Sequence, residues 1–241
     1  PAIFWFIGGF ALLLGAAVVA VIPETHPAER RRPLRLGPML SDLWQVARSG
    51  EFERMSWAIT FVFAGQFIYI GAAAIFVVDL LGKGEGDFWM FFVPMISGVI
   101  VGSWISGRAA GRVSARRLIT VGFSFSAAAA VLGVLLAVAF GPVLPWAVVG
   151  PSLIALGSGT AFPTIQVALL DLFPSVRGAA ASVAGVMPLA TNAVIASAVA
   201  PIVTGSVTAL ALTSLALIVL GCLLWVWHLA ATADPSRATS Q

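Results

Sequence analysis

Residues 102–140 read GSWISGRAAGRVSARRLITVGFSFSAAAAVLGVLLAVAF, with arginines at 108, 112, 116 and 117 and no charge from 118 to 140. The hydrocarbon core of a bilayer takes about 20 apolar residues as a helix. The stretch is therefore a cationic loop feeding a membrane-crossing helix, and the same alternation runs outward in both directions. Uninterrupted apolar windows fall at about 2–22, 56–79, 87–107, 117–140, 146–170, 178–200 and 207–230. Lipid offers backbone N–H and C=O groups no partner, so each window is read as a helix. Strands of a membrane barrel would alternate in polarity, and these runs do not.

Composition agrees with that reading. The 241 residues are 60% hydrophobic and 10% charged, with a mean hydropathy of +1.03, whereas soluble domains run near half apolar and a quarter charged. A soluble enzyme, a disordered chain and a disulfide framework are excluded. The one cysteine, Cys222, lies inside an apolar run and reads as a small buried hydrophobe. The net charge of +3 does not call for a nucleic acid, because the basic residues sit in loops between spans.

Those loops act as a compass. Segment 23–55 holds Arg30, Arg31, Arg32, Arg35, Arg48 and Arg54, and segment 108–117 holds Arg108, Arg112, Arg116 and Arg117. Arg177 lies between the fifth and sixth windows and Arg237 in the tail. All fall on one side of a seven-span threading, and only Lys83 falls on the other. The positive-inside rule then places Pro1 outside and Gln241 in the cytoplasm. The first window is not a signal peptide, since its basic cluster follows it. The chain opens inside an apolar helix without an initiator methionine, so a longer parent protein is expected.

Four segments follow: a first helix (1–22), a cytoplasmic linker (23–55), a six-helix bundle (56–230) and a cytoplasmic tail (231–241). In the linker, Leu36, Met39, Leu40, Leu43, Trp44 and Ala47 recur at helical spacing. This predicts a short amphipathic helix, either lying on the membrane surface or packed on the cytoplasmic ends of the bundle.

Chemistry-bearing patterns are sparse. No His, Glu or Cys cluster has metal-ligand spacing and no glycine loop suits a phosphate, so neither catalysis nor a cofactor is expected. The only lysine is in a loop, which excludes a retinal Schiff base. The spans are instead rich in small residues, such as Gly98 with Gly102 and Gly178 with Ala181, Ser182 and Gly185. These allow close helix approach, and Pro94, Pro163 and Pro188 add bends.

Particular residues carry a family resemblance. IPETHPAERRR (22–32) resembles the exit from the sixth helix of major facilitator transporters, and GSWISGRAAGRVSARR (102–117) resembles their basic loop between helices eight and nine. ALGSGTAFPTIQVALLDLFP (155–174) with RGAAASVAG (177–185) is similar to the tenth-to-eleventh-helix region of the Bcr/CflA-type drug-resistance branch, and FIYIGAAAIFVVDLLG (67–82) fits its seventh helix. The resemblance implies an all-α membrane protein. It comprises one helix from a missing N-terminal half and the six-helix C-terminal half of a secondary transporter. It further implies proton-driven antiport of small, drug-like molecules across the inner membrane. Ser106 and Gly107 stand where the corresponding loop of the first half carries an acid, and the helices that hold the branch's proton-carrying carboxylate are absent. A metabolite permease of the same fold, a seven-span receptor and a non-transporting remnant are the alternatives.

Candidate substrate contacts are polar or aromatic residues at span depth. Gln66 and Tyr69 are three apart and share a helix face. Gln166 follows Pro163 by less than a turn, and Asn192 follows Pro188 by four residues. The resemblance places them on helices seven, ten and eleven, which line the central cavity of the superfamily. Gln66, Tyr69, Gln166 and Asn192 would orient substrate, with Phe63, Phe67 and Phe162 as apolar walls. The alternative is interhelical hydrogen bonding at about 1 kcal/mol each, and a side chain turned towards a neighbouring helix would leave the set. Arg108 and Arg112 share a helix-end face. They would either latch one conformation, by pairing with Asp171 or with the missing half, or anchor on lipid headgroups.

Overall fold

A computed structural model of the chain describes residues 2–21 and 36–233, in which the only regular elements are helices. Arg30, Arg31, Arg32, Arg35 and Arg237 of the arginine compass lie outside the described residues, as do the first part of the linker (23–35) and most of the tail. The chain divides into two compact units, Pro1–Met39 and Leu40–Gln241. The first contains α1 (Ala2–Val21), apolar on every side as a lipid-embedded helix is. Phe6 stacks on Phe10 one turn later, at 6.3 Å between ring centroids.

The amphipathic helix read in the linker forms as α2 (Leu36–Ala47). Its apolar stripe does not turn inward: Leu40 and Trp44 are exposed, and the fully buried residue is Val46. Arg48 lies over the Trp44 ring at 5.7 Å. The next helix, α3 (Gly50–Gly71), starts earlier than apolarity alone predicts. Ser49 accepts a hydrogen bond from the Phe52 N–H at 3.4 Å, and Glu51 and Glu53 occupy the first turn, where free N–H groups favour acids. The chain continues through a π-helical segment, Ile75–Leu80, and a short 3-10 turn, Glu85–Asp87.

The remaining elements are α4 (Trp89–Ala109), α5 (Ala115–Phe140), α6 (Trp146–Asp171), α7 (Arg177–Val194), a second π-helical segment (Ile195–Val199), the single turn α8 (Ala200–Val203) and α9 (Val207–Ala233). Each coincides with an apolar window to within a few residues. Among the described residues, six helical stretches are long and apolar enough to cross a membrane: one in each of α1, α4, α5, α6 and α9, and the run from α7 through α8. The window 56–79 differs. Buried Ser56, Thr60 and Gln66 dilute the hydropathy of α3, and twelve of its 22 residues are buried. One side of it packs inside the bundle, while Trp57 is exposed.

Packing explains that position. Helix α6 runs between α4 and α5 and also touches α3, while α3 is flanked by α6, α7 and α9, and α9 reaches α5. Glycines set the closest contacts. A Cβ on Gly102 would overlap the Leu156 carbonyl oxygen, and one on Gly98 the Ser152 carbonyl oxygen, so α4 and α6 meet backbone to backbone. Gly65 and Gly221 do the same for α3 and α9. By contrast, a Cβ on Gly178 or Gly185, on the small-residue stripe of α7, would meet nothing within 4 Å among the described residues. Hydroxyl bonds stitch the same seams, among them Ser214 Oγ to the Gly65 carbonyl at 2.6 Å and Ser103 Oγ to the Gly159 carbonyl at 3.4 Å.

Candidate functional site

Helix α3 rises from Gly50, beside the described arginines, towards Lys83, and α6 runs the opposite way. At about 1.5 Å per residue, Gln66 lies about 24 Å along α3, and Asn192 about 22 Å along α7 from Arg177. Both therefore sit near mid-depth, whereas Gln166 lies little more than a turn from the Asp171 end of α6.

The structure joins three of the aromatics read from the sequence into one row. Phe63 meets Phe67 at 6.5 Å and Phe162 of α6 at 5.8 Å, and all three are half-buried. The row is apolar, adaptable and open on one side. The polar residues are placed differently. Gln66 is 3% exposed, and its Oε1 accepts a hydrogen bond from Ser158 Oγ on α6. Ser158 Oγ also lies 3.2 Å from the Ala155 carbonyl oxygen.

Tyr69, 2% exposed, turns away from the row and packs edge-on against Phe76 of the first π-helical segment at 5.7 Å. Phe76 in turn meets Phe91 at 5.3 Å. By the facing criterion, Gln66 engages a neighbouring helix and Tyr69 belongs to the hydrophobic interior in this conformation. The face they were read as sharing is split, because Gln66 meets α6 and Tyr69 meets the first π-helical segment.

Asn192 is 9% exposed at the end of α7, where the second π-helical segment begins, and its Oδ1 has no hydrogen-bond partner. Helix α3, which packs against α7, α6 and α9, carries two further buried hydroxyls without partners, Ser56 and Thr60. Such groups cost free energy unless they are satisfied in another state or by a bound molecule. π-Helical turns inside α-helices also concentrate at functional positions, and here they continue both α3 and α7 towards the Lys83 end.

A cavity of about 640 Å³ lies between α4, α5 and α6 near the described arginines. Ser106, Leu118, Pro163, Thr164, Val167 and Asp171 contribute to its wall. The Ser106 and Thr164 hydroxyls bond each other across it at 3.0 Å. The predicted pairing of Arg108 or Arg112 with Asp171 is not made in this conformation. Asp171 Oδ1 instead accepts from Arg177 Nη2 at 2.8 Å across the short α6–α7 connection, with both side chains more than half exposed. The cavity separates Asp171 from the α4–α5 loop, so the nearby Arg177 is the closer partner. The Arg108 guanidinium lies 4.4 Å above the Trp104 ring, one turn back on its own helix.

Ser158, Ser56, Thr60 and the Ser106–Thr164 pair were missed in the sequence. Ser158 was within reach: it precedes Phe162 and Gln166 at four-residue spacing on one face of α6. The α3 hydroxyls carried no such signal, because an isolated Ser or Thr in a span ordinarily bonds its own helix.

Comparison with known proteins adds the family. The family model described as Major Facilitator Superfamily matches residues 1–196. A bicyclomycin resistance protein homolog of Haemophilus influenzae is 28% identical over 204 residues, covering 83% of this chain and 50% of that protein. An uncharacterized MFS-type transporter of Bacillus subtilis, YdgK, is 25% identical over 113 residues, 47% of this chain and 28% of its own. The chain thus spans about half the length of the first relative and less of the second. With an all-helical bundle, membrane-length apolar helices and a family match over most of its residues, the chain belongs to the major facilitator superfamily.

Proposed function

We propose that the chain is part of a secondary active transporter that exports small, drug-like molecules in exchange for protons by alternating access. The observation that carries this reading is the likeness to the bicyclomycin resistance homolog over 83% of the chain. The α3–α6–α7 face supports it. An open aromatic row beside buried polar groups suits amphipathic molecules, which need apolar contact and a few orienting hydrogen bonds. Phe63, Phe67 and Phe162 form the wall; Gln166 and Asn192 supply polar contacts, while Gln66 ties α3 to α6 through Ser158. Tyr69 supports the wall from behind through Phe76.

The opposite wall comes from an N-terminal half preceding α1. The proton-carrying carboxylate belongs to that half, since Asp171 and the acids of the α3 N-terminus and of residues 79–87 all lie towards helix ends. The arginine-bearing end faces the cytoplasm of the cell's inner membrane, and Arg108 and Arg112 touch the N-terminal half when the transporter is closed on that side. A seven-span receptor is not favoured by any observation.

The test is efflux from cells lacking their own exporters, expressing the gene together with whatever precedes this chain. Dye or antibiotic should leave against its gradient, and an uncoupler should stop it. Efflux indifferent to the proton gradient would overturn antiport, and uptake in place of efflux would overturn export. Impermeant labelling from outside that reaches a cysteine placed at Val113 would overturn the orientation. Charge reversal at Arg108 that leaves transport unchanged would remove the latch and leave lipid anchoring.

A further inference from the structure

Away from the α3–α6–α7 face, the arginine-bearing ends of α3, α5 and α9 meet, and each contributes a nitrogen-rich side chain. His228 of α9 is 7% exposed, and its ring stacks on Trp225 at 5.0 Å between centroids. Its Nδ1 has no hydrogen-bond partner. Trp225 is held from α5: its indole N–H donates to Thr120 Oγ1 at 2.9 Å, and Phe123 meets it edge-on at 5.8 Å. Arg116, at the start of α5, donates through Nη2 to the carbonyl of Leu229, the residue after His228, at 3.2 Å. From α3, Arg54 lies 5.5 Å from the Trp227 ring centroid, and its buried Nε has no partner either.

Arg54, Arg116 and Glu51 are the charged groups whose fields reach His228. The two guanidiniums outweigh the one exposed carboxylate among these, Glu51, and the next acid on α3, Glu53, is taken by the Trp57 indole N–H at 2.8 Å. Two of the buried nitrogens are also unpartnered, which costs free energy in a dry site. One anion with several acceptor oxygens would answer both deficits at once.

Position selects the anion. The apolar run of α9 extends from Val207 to Thr232, so His228 lies one turn inside the end of its span. Trp227, beside Arg54, is 56% exposed. Exposed tryptophans at a span end sit at headgroup depth, where the phosphodiesters of lipids are found. We propose that this three-helix junction binds the phosphate of an anionic phospholipid. Arg54 and Arg116 clamp its oxygens, His228 donates from beneath, and Trp227 flanks its glycerol backbone. The proposal rests on the chain being a membrane protein and not on what it transports.

The test uses the chain purified in detergent and offered phosphatidylglycerol or phosphatidylcholine, with retained lipid counted by native mass spectrometry. Expected is one phosphatidylglycerol held in preference to phosphatidylcholine by about tenfold or more. That preference is lost in Arg54→Gln/Arg116→Gln, weakened in His228→Gln, and kept in Arg177→Gln, which removes a cation elsewhere. Equal retention of the two lipids, or full retention by the double variant, would overturn the site. Displacement of the lipid by millimolar inorganic phosphate would show that free phosphate, not a headgroup, is the ligand. For the unaltered chain, phosphatidylglycerol brominated near the glycerol should quench tryptophan fluorescence more than brominated phosphatidylcholine does. Equal quenching would also overturn the proposal.

Discussion

The α4–α6 seam and the α3–α7 contact are built from opposite materials. Along the first, Gly98, Gly102 and Gly159 bring backbones together so closely that no side chain fits between them. The hydroxyls on it are bonded, Ser103 to a carbonyl and Ser106 to Thr164. The two helices of the second carry buried polar atoms without partners, on Ser56 and Thr60 of α3 and Asn192 of α7. Both helices run on into π-helical segments. A seam whose glycines touch backbone to backbone and whose hydroxyls are bonded has one good arrangement. A contact with unmet hydrogen bonds and irregular helices has reason to exchange arrangements, or to take up a polar molecule. The first region is framework, and the second is where a transport cycle would move.

That contrast can be broken most forcefully at Gly102. A Gly102→Leu change drives a side chain into the Leu156 carbonyl and should cost about 3 kcal/mol or more, since backbone must separate. Thermal unfolding in detergent should show a large fall. Gly185→Leu, on the α7 stripe where a Cβ would meet nothing within 4 Å among the described residues, should leave the isolated chain almost unchanged. If both changes were equally mild, the rigid-seam description would fail.

A smaller effect is expected at the polar link between α3 and α6. Ser158→Ala leaves the buried Gln66 amide without its partner and should cost about 1–2 kcal/mol. Adding Gln66→Leu should recover most of the loss, so a double-mutant cycle on unfolding free energies should give a clear coupling. Strict additivity would mean the bond contributes nothing.

Asn192 sharpens the comparison by separating stability from function. Asn192→Leu removes a buried unpartnered oxygen and should be neutral or stabilising by up to about 1 kcal/mol. Under the proposed function it should lower efflux severely. A variant both destabilised and fully active would reverse the assignment. The smallest effect is expected at Asp171. Arg177→Gln breaks an ion pair whose side chains are 60% and 58% exposed, and solvent screening should hold the change below about 0.5 kcal/mol. A melting shift as large as that of Ser158→Ala would show the pair to be structural.

Much of the architecture was legible because membrane partition is read one residue at a time. The windows at 87–107, 117–140, 146–170 and 207–230 became α4, α5, α6 and α9 with small changes at their ends. The spacing of Leu36 to Ala47 became α2. The window 56–79 became α3 and the π-helical segment Ile75–Leu80, with Ser56, Thr60 and Gln66 buried in the bundle. Gly98 with Gly102 and Gly178 with Gly185 looked alike as small-residue pairs. Only the first meets another helix among the described residues.

The candidate site divides in the same way. Phe63, Phe67 and Phe162 were named from span depth and side-chain type, and they assemble into one row. The partner of Gln66 lies 92 residues away, and Asp171 bonds Arg177 in place of Arg108. Sequence by itself determined where the chain leaves water and which ends carry positive charge, since hydropathy and charge belong to single residues. Tertiary structure alone decided which hydroxyl satisfies which amide, which glycines touch and which buried polar atoms are left over. Those are properties of pairs, fixed by the crossing of helices far apart in the chain.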